Sequence, residues 1–180
     1  MSFTRMDAST AADWDHIAHE SVDAWALVPD RILCLLRSLA TITSGFAVDQ
    51  LEHGLQTASR AERAGADDEV IVAALCHDIG KAISEPNHPA VAAALLAPFV
   101  RDEVAWMIEV HQDFQGRHYY EHLGKSPQLR DRHRGHPAYA LAEQFADEWD
   151  QTSFDPDYDS FSLDHFELLV RRIFAAPKRI

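Results

Sequence analysis

His77 and Asp78 stand side by side at the end of an uncharged apolar run, VIVAALC over residues 70–76. An imidazole and a carboxylate placed together at such a point are costly to bury unless something binds them, and a metal ion is the commonest solution. The plainer reading is a His and an Asp that cap an ordinary helix end. Four further residues bear on the choice: His53, His88, His111 and Asp150 each fall on a helical pattern or at a helix end. Together the six offer four imidazoles and two carboxylates, a set suited to two metal ions with Asp78 able to bridge them. Imidazole-rich ligation favours iron, manganese, zinc or cobalt over magnesium or calcium. One ion could generate hydroxide for hydrolysis, or a redox pair could hold substrate on one ion and oxygen on the other. The ligand count alone leaves both open.

The elements that must position these residues are helical. Ala73, Ala74 and Leu75 inside the apolar run predict a helix buried on most sides, and Gly80 just beyond it lets the chain turn sharply. Over residues 47–65, Val48, Leu51, Leu55 and Ala58 form a core stripe. Gln50, His53 and Thr57 line up on a different face, so His53 is free for a role other than packing. Pro89 just inside the next helix places His88 at or near its N-cap. Val104, Met107, Ile108 and His111 fall at i, i+3, i+4 and i+7. His111 is therefore on a buried stripe, where an imidazole serves either as a hydrogen-bonded core residue or as a metal donor. Pro137 opens a long helix in which Leu141, Ala142, Phe145 and Trp149 point inward and Asp150 sits at the edge of the stripe. Ser162 or Asp164 caps a last helix. No repeat, linker or low-complexity tract divides the chain, and the expected architecture is all-α with about seven or eight helices.

Residues 114–135 are polar, aromatic and basic. Arg117, Lys125, Arg130, Arg132 and Arg134 concentrate there in a chain whose net charge is −13. The plain expectation is a surface loop with a one-turn helix near Tyr119; the sharper one is a substrate lid. Near the N-terminus, HIAHE around His16 and His19 matches neither helical zinc motif and reads as a surface helix, with Trp14 and Trp25 available to pack it onto the body. Asp155, Asp157 and Asp159 alternate as in a calcium loop, but Ser160 and Phe166 stand where such a loop needs Gly and Glu, so that reading fails.

With 180 residues and 47% hydrophobic content, the chain can build one core large enough to stand alone. Its acidity argues against a general nucleic-acid or anionic-membrane binder, since both need a cationic face; the expected partner is a small molecule. Cys34 and Cys76, each in an apolar run, read as buried thiols and fit a reducing cytoplasmic compartment. Acidic residues interrupt residues 1–30, unlike a secretion signal, and no apolar run approaches the roughly 20 residues that span a bilayer. Oligomeric state carries no sequence signature.

His53, His77-Asp78 and Asp150 match the H…HD…H…D signature of the HD-domain superfamily, and His88 and His111 match the extra pair of its dinuclear members. The resemblance covers about residues 42–174. It implies a helical HD bundle, taken as residues 29–180 behind an N-terminal extension of residues 1–28, with His53, His77, Asp78, His88, His111 and Asp150 as metal ligands. Most HD proteins are phosphohydrolases acting on nucleotides or other phosphoesters. QLEHGLQTA around His53, WDQTSFDPDYDSFSLDHFE around Asp150, and Lys81 three residues after Asp78 resemble instead the mixed-valent di-iron oxygenases, the group of myo-inositol oxygenase and the enzyme that cleaves 2-amino-1-hydroxyethylphosphonate. That likeness implies two iron ions, as Fe(II)/Fe(III), with manganese or another divalent metal as the alternative. It also implies O2 as co-substrate and cleavage of a C–C or C–P bond in a small hydroxylated substrate, a polyol or hydroxyphosphonate, one of whose oxygens Lys81 would hold. A catalytically silent HD-fold binding protein is a third reading. The chain departs from these relatives at Phe154, where they carry a lysine, and from the phosphonate enzyme at Gln115, where that enzyme carries another, and at Thr43 and Phe46, which align with its Tyr and Glu gate. A phosphonate pocket built the same way is therefore not expected; Arg117, Tyr119, Tyr120 or the cluster at residues 130–134 would bind an anion instead, or the substrate is neutral.

Overall fold

The computed structural model describes residues 3–178, so the outermost two residues of each expected unit lie outside it. Among the described residues there are eight α-helices and no strand: α1 (Ala11–Ala26), α2 (Val28–Ser38), α3 (Gln50–Arg63), α4 (Asp68–Cys76), α5 (His88–Leu96), α6 (Asp102–Gln115), α7 (Tyr139–Gln144) and α8 (Leu163–Ile173). Short 3-10 turns join several of them, and α7 runs directly into a π-helical turn, Phe145–Asp150.

Helix α4 is the centre of the bundle. Residues 70–80 are buried without a break, and α3, α6 and α8 all pack around α4. Asp67 starts it by accepting from the backbone N–H groups of Glu69 and Val70, a cap of the kind that contributes about 1 kcal/mol. Asp49 and Ser162 start α3 and α8 in the same way. Close approach of α3 to α4 depends on Gly54, where a Cβ would lie 2.8 Å from the Leu75 carbonyl oxygen. That approach brings His53 on α3 up to His77 at the end of α4.

Several local expectations change. Thr10 and Asp13 form a reciprocal capping box that starts α1. None of the α1 side chains described is buried, and Trp14 and Trp25 are exposed rather than packed on the body; the Trp14 indole N–H donates to Ser9. His16 and His19 are exposed on the same helix. Cys34 is exposed because the apolar stripe of α2 is Ile32, Leu33 and Leu36, one face away from it. Cys76 is buried, and burial pushes its thiol up to about 12. Residues 114–135 hold three successive 3-10 turns rather than one turn of helix. Among the described residues no helix is long and apolar enough to cross a membrane.

Candidate metal centre

Three helix ends and two helix interiors converge on one point. His77 is the last α-helical residue in backbone conformation after α4; Asp78 then turns to φ −101°, ψ 7°, and the chain tightens into a 3-10 turn, Ile79–Ala82. Residues three apart eclipse in such a turn. Lys81 thus lies over Asp78, its backbone N–H bonded to the Asp78 carbonyl and its Nζ 2.7 Å from Asp78 Oδ2. Gly80 is needed here for space rather than for an unusual dihedral, since a Cβ would sit 2.2 Å from the His88 carbonyl oxygen. This contact seats the first turn of α5, with His88 as its first residue, against the His77-Asp78 corner. Helix α3 supplies His53, α6 supplies His111, and the π turn delivers Asp150, its wider winding marked by the Gln151 N–H bonding back to Ala146. A π turn inside a helix is often a functional feature.

All six are buried; the most exposed are Asp78 and His88 at 4%. His53 Nε2 lies 3.0 Å from His77 Nε2, 3.2 Å from Asp150 Oδ1 and 3.6 Å from Asp78 Oδ2. His77 Nε2 is 3.5 Å from each of those two oxygens. Donors held roughly 2.0–2.2 Å from a common ion stand roughly 3 to 3.5 Å from one another, as His53 Nε2, His77 Nε2 and Asp150 Oδ1 do at 3.0, 3.2 and 3.5 Å; Asp78 Oδ2 completes the set from slightly farther away. Around the other oxygen of Asp78, His88 Nε2 lies at 3.0 Å and His111 Nε2 at 3.6 Å. Asp78 therefore offers one oxygen to each of two groups.

Hydrogen bonding fixes what the imidazoles present. The Nδ1 atoms of His53, His77, His88 and His111 lie 2.7–2.9 Å from the carbonyl oxygens of Ser153, Ala74, Glu85 and Ile108. A carbonyl only accepts, so each Nδ1 carries the proton, and in the neutral ring each Nε2 is a lone pair. Those lone pairs face one another and face carboxylate oxygens. Among the described residues, Asp78 Oδ1 and Asp150 Oδ2 are buried and find no hydrogen-bond partner. A cation is what such a set lacks, and the Nδ1-to-carbonyl bonds are the usual support of metal-binding histidines. Burial alone would raise both carboxyls, but His77 and the other imidazoles, with Lys81 beside Asp78, outweigh it once the rings are protonated in acid and hold both below the usual carboxylate range.

A cavity of about 430 Å³ opens at the Asp78–His88 end. Lys81, Glu85, Gln112, Gln115, Tyr119 and Gln151 give it a polar wall, and Phe46 and Phe154 an apolar one. Phe154 is stacked on the face of His53 with ring centroids 4.1 Å apart, and Phe46 stacks on Phe154 at 4.6 Å. Gln115 donates from Nε2 to Asp150 Oδ1 at 2.8 Å and so supports a carboxylate of the cluster. Burial, then Tyr120, raise Tyr119 above the ordinary phenol range, and its hydroxyl stays a donor at neutral pH.

Of the substrate contacts expected from the sequence, Lys81 and Tyr119 line the cavity; Arg117 and Tyr120 do not. Arg117 is exposed, and the Tyr120 ring is buried against Gly116. Four of the basic segment's five cations have partners outside the cavity, whereas Gln115, His118 and Tyr119 of the same segment line it. Arg130 is buried and holds both oxygens of Asp147 at 3.0 Å, Arg132 pairs with Asp113, Arg134 with Asp131, and Lys125 lies over the Tyr120 ring. Sequence reasoning placed Gln50 on the face of His53 without a role and passed over Gln112, Glu85, His118 and Gln151. Gln50 accepts from Lys81 Nζ at 2.8 Å and sits one turn before His53; Gln115 is one turn after His111. Helical spacing from a ligand was the signal available for both.

The HD domain family matches residues 51–155, a span that contains all six clustered residues. The chain belongs to the HD domain family. No curated protein matches it. HD domains bind divalent metals and are usually metal-dependent enzymes, and the buried His/Asp groups of this one can hold a metal.

Proposed function

We propose that this HD protein is a di-iron oxygenase that uses O2 to cleave a bond next to a hydroxylated carbon in a small, neutral, polyol-type substrate. The observation that supports this reading over its alternatives is the chemistry of the cavity wall. Lys81 is the only Lys or Arg among the described lining residues, and its ammonium is already paired with Asp78 and Gln50. A phosphoester or phosphonate dianion is ordinarily held by several charged donors, arginine above all. Three glutamine amides, a phenol and a carboxylate suit hydroxyl groups that both give and accept hydrogen bonds. Phe46 and Phe154 give the cavity an apolar side that can lie against the C–H side of a substrate.

His53, His77, Asp78 and Asp150 would hold one iron, and Asp78, His88 and His111 the other. When bound, the pair supplies Lewis acidity toward a substrate hydroxyl and electrons for O2. Lys81 then donates to a substrate oxygen without losing contact with Asp78, and Gln112, Gln115 and Tyr119 fix the orientation of the remaining hydroxyls. Anaerobically iron-loaded protein tested for O2 uptake against polyols, hydroxyphosphonates and nucleoside phosphates separates the readings. Uptake is expected with a polyol; phosphate release without any O2 uptake would make the protein a phosphohydrolase.

A further inference from the structure

Three of the four histidines are oriented by a carbonyl of their own stretch of chain. His77 donates to the Ala74 carbonyl, His88 to Glu85 and His111 to Ile108, in each case three residues back. His53 is the exception: its Nδ1 donates to Ser153, 100 residues away, across 2.9 Å. Its tautomer thus depends on how residues 152–161 are seated.

That segment is the one whose alternating aspartates failed as a calcium loop, and α3 fixes it side chain by side chain. The Gln56 amide pairs with the backbone of Asp155 in both directions, donating from Nε2 to the carbonyl at 2.7 Å and accepting the N–H on Oε1 at 3.2 Å. Arg60 donates to the Thr152 carbonyl at 3.0 Å, Glu52 accepts from the Ser160 hydroxyl at 2.8 Å, and Ser59 accepts the Phe161 N–H at 2.8 Å. Gln56 is fully buried, and Phe154, next to the residue it grips, stacks on His53. One turn of helix therefore carries the ligand at residue 53 and, at residue 56, the group that aims its hydrogen-bond acceptor.

We infer that Gln56 is a positioning residue of the metal centre: by pairing with Asp155 it holds the Ser153 carbonyl against His53 Nδ1 and keeps His53 Nε2 free to bind a metal. The inference rests on the two-metal reading of the site. A supporting partner of this kind is typically worth 10- to 100-fold in metal affinity.

The test is Gln56→Met in the full chain, read at one pH by long-range proton–nitrogen NMR of the histidine rings without metal and by Zn2+ titration against a chromophoric chelator. The expected result is a mixed tautomer at His53 alone, with His77, His88 and His111 still protonated on Nδ1, and one of two Zn2+ ions bound roughly 10- to 100-fold more weakly. Arg60→Met, which frees the Thr152 carbonyl, should give a smaller change of the same kind and serves if Gln56→Met does not fold. Unchanged His53 signals and an unchanged titration would overturn the inference, as would equal disturbance of all four rings. Failure of the wild-type chain to bind Zn2+ would instead refute the metal reading beneath it.

Discussion

Asp150→Asn should reverse the stability order of variant and wild type between the metal-free and metal-loaded states. At about pH 8, above the usual imidazole range, the metal-free centre sets a buried carboxylate against two Nε2 lone pairs, 3.2 and 3.5 Å from Asp150 Oδ1, and leaves Oδ2 without a partner. An unpaired buried polar group costs about 1–3 kcal/mol, more when charged. Asparagine removes the charge and can turn its amide N–H toward His53, while Gln115 rotates its own amide to accept. The metal-free variant should therefore be more stable by about 1–2 kcal/mol, which for a chain of this size is roughly 2–8 °C in Tm. With metal at about 100 times Kd the wild type gains about 2.7 kcal/mol per site. The variant keeps at most the gain at the His88–His111 end and falls below the wild type. Calorimetry of both proteins in chelator and in excess Mn2+ measures the crossing. The same order in both states, with the variant weaker even in chelator, would mean that Asp150 is an ion-pair partner of charged histidines and not a metal ligand.

Gly80→Ala should cost about 1–3 kcal/mol or more, because its Cβ meets the His88 backbone and not a side chain that could move; thermal denaturation and metal counting would show lower Tm and loss of the ion at the His88 end. His111→Ala should lose one metal and all turnover, and surviving activity would disprove a dinuclear centre. Metal should be released on acidification through the imidazole range, since protons compete for the same Nε2 atoms; metal retained down to pH 4 would point to other ligands. For the metal-free protein the sign is set by Asp78 and Asp150, whose folded values lie below the ordinary 3.8. Between that value and the usual imidazole range their contribution is present, and it disappears as the pH falls through the lower folded values, so acid unfolding monitored by circular dichroism should be shifted to higher pH in Asp150→Asn.

The sequence made α4 and its terminal His77-Asp78 pair legible because an uncharged run has no way to be amphipathic and must sit inside the bundle. His88 and His111 followed from a proline at a helix start and from a four-point apolar stripe. His53 was harder. It shares a face with Gln50 and Thr57 that looks polar, yet all three are fully buried, because α4 covers one side of α3 and residues 152–161 the other. The run from Pro137 was read as one regular helix; α7 begins only at Tyr139 and widens into a π turn, and no periodicity rule announces that change. The basic segment misled most. Five cations close in sequence suggested an anion site, but three of them pair with Asp113, Asp131 and Asp147, a matter of tertiary position that charge counting does not contain.

Electron paramagnetic resonance of the protein loaded anaerobically with two equivalents of iron and then partly oxidised tests the central claim most directly. A di-iron oxygenase should hold both ions and give a mixed-valent signal that changes when a polyol substrate is added. A protein that retains only manganese or zinc, shows no such signal and releases phosphate from nucleotides would contradict it.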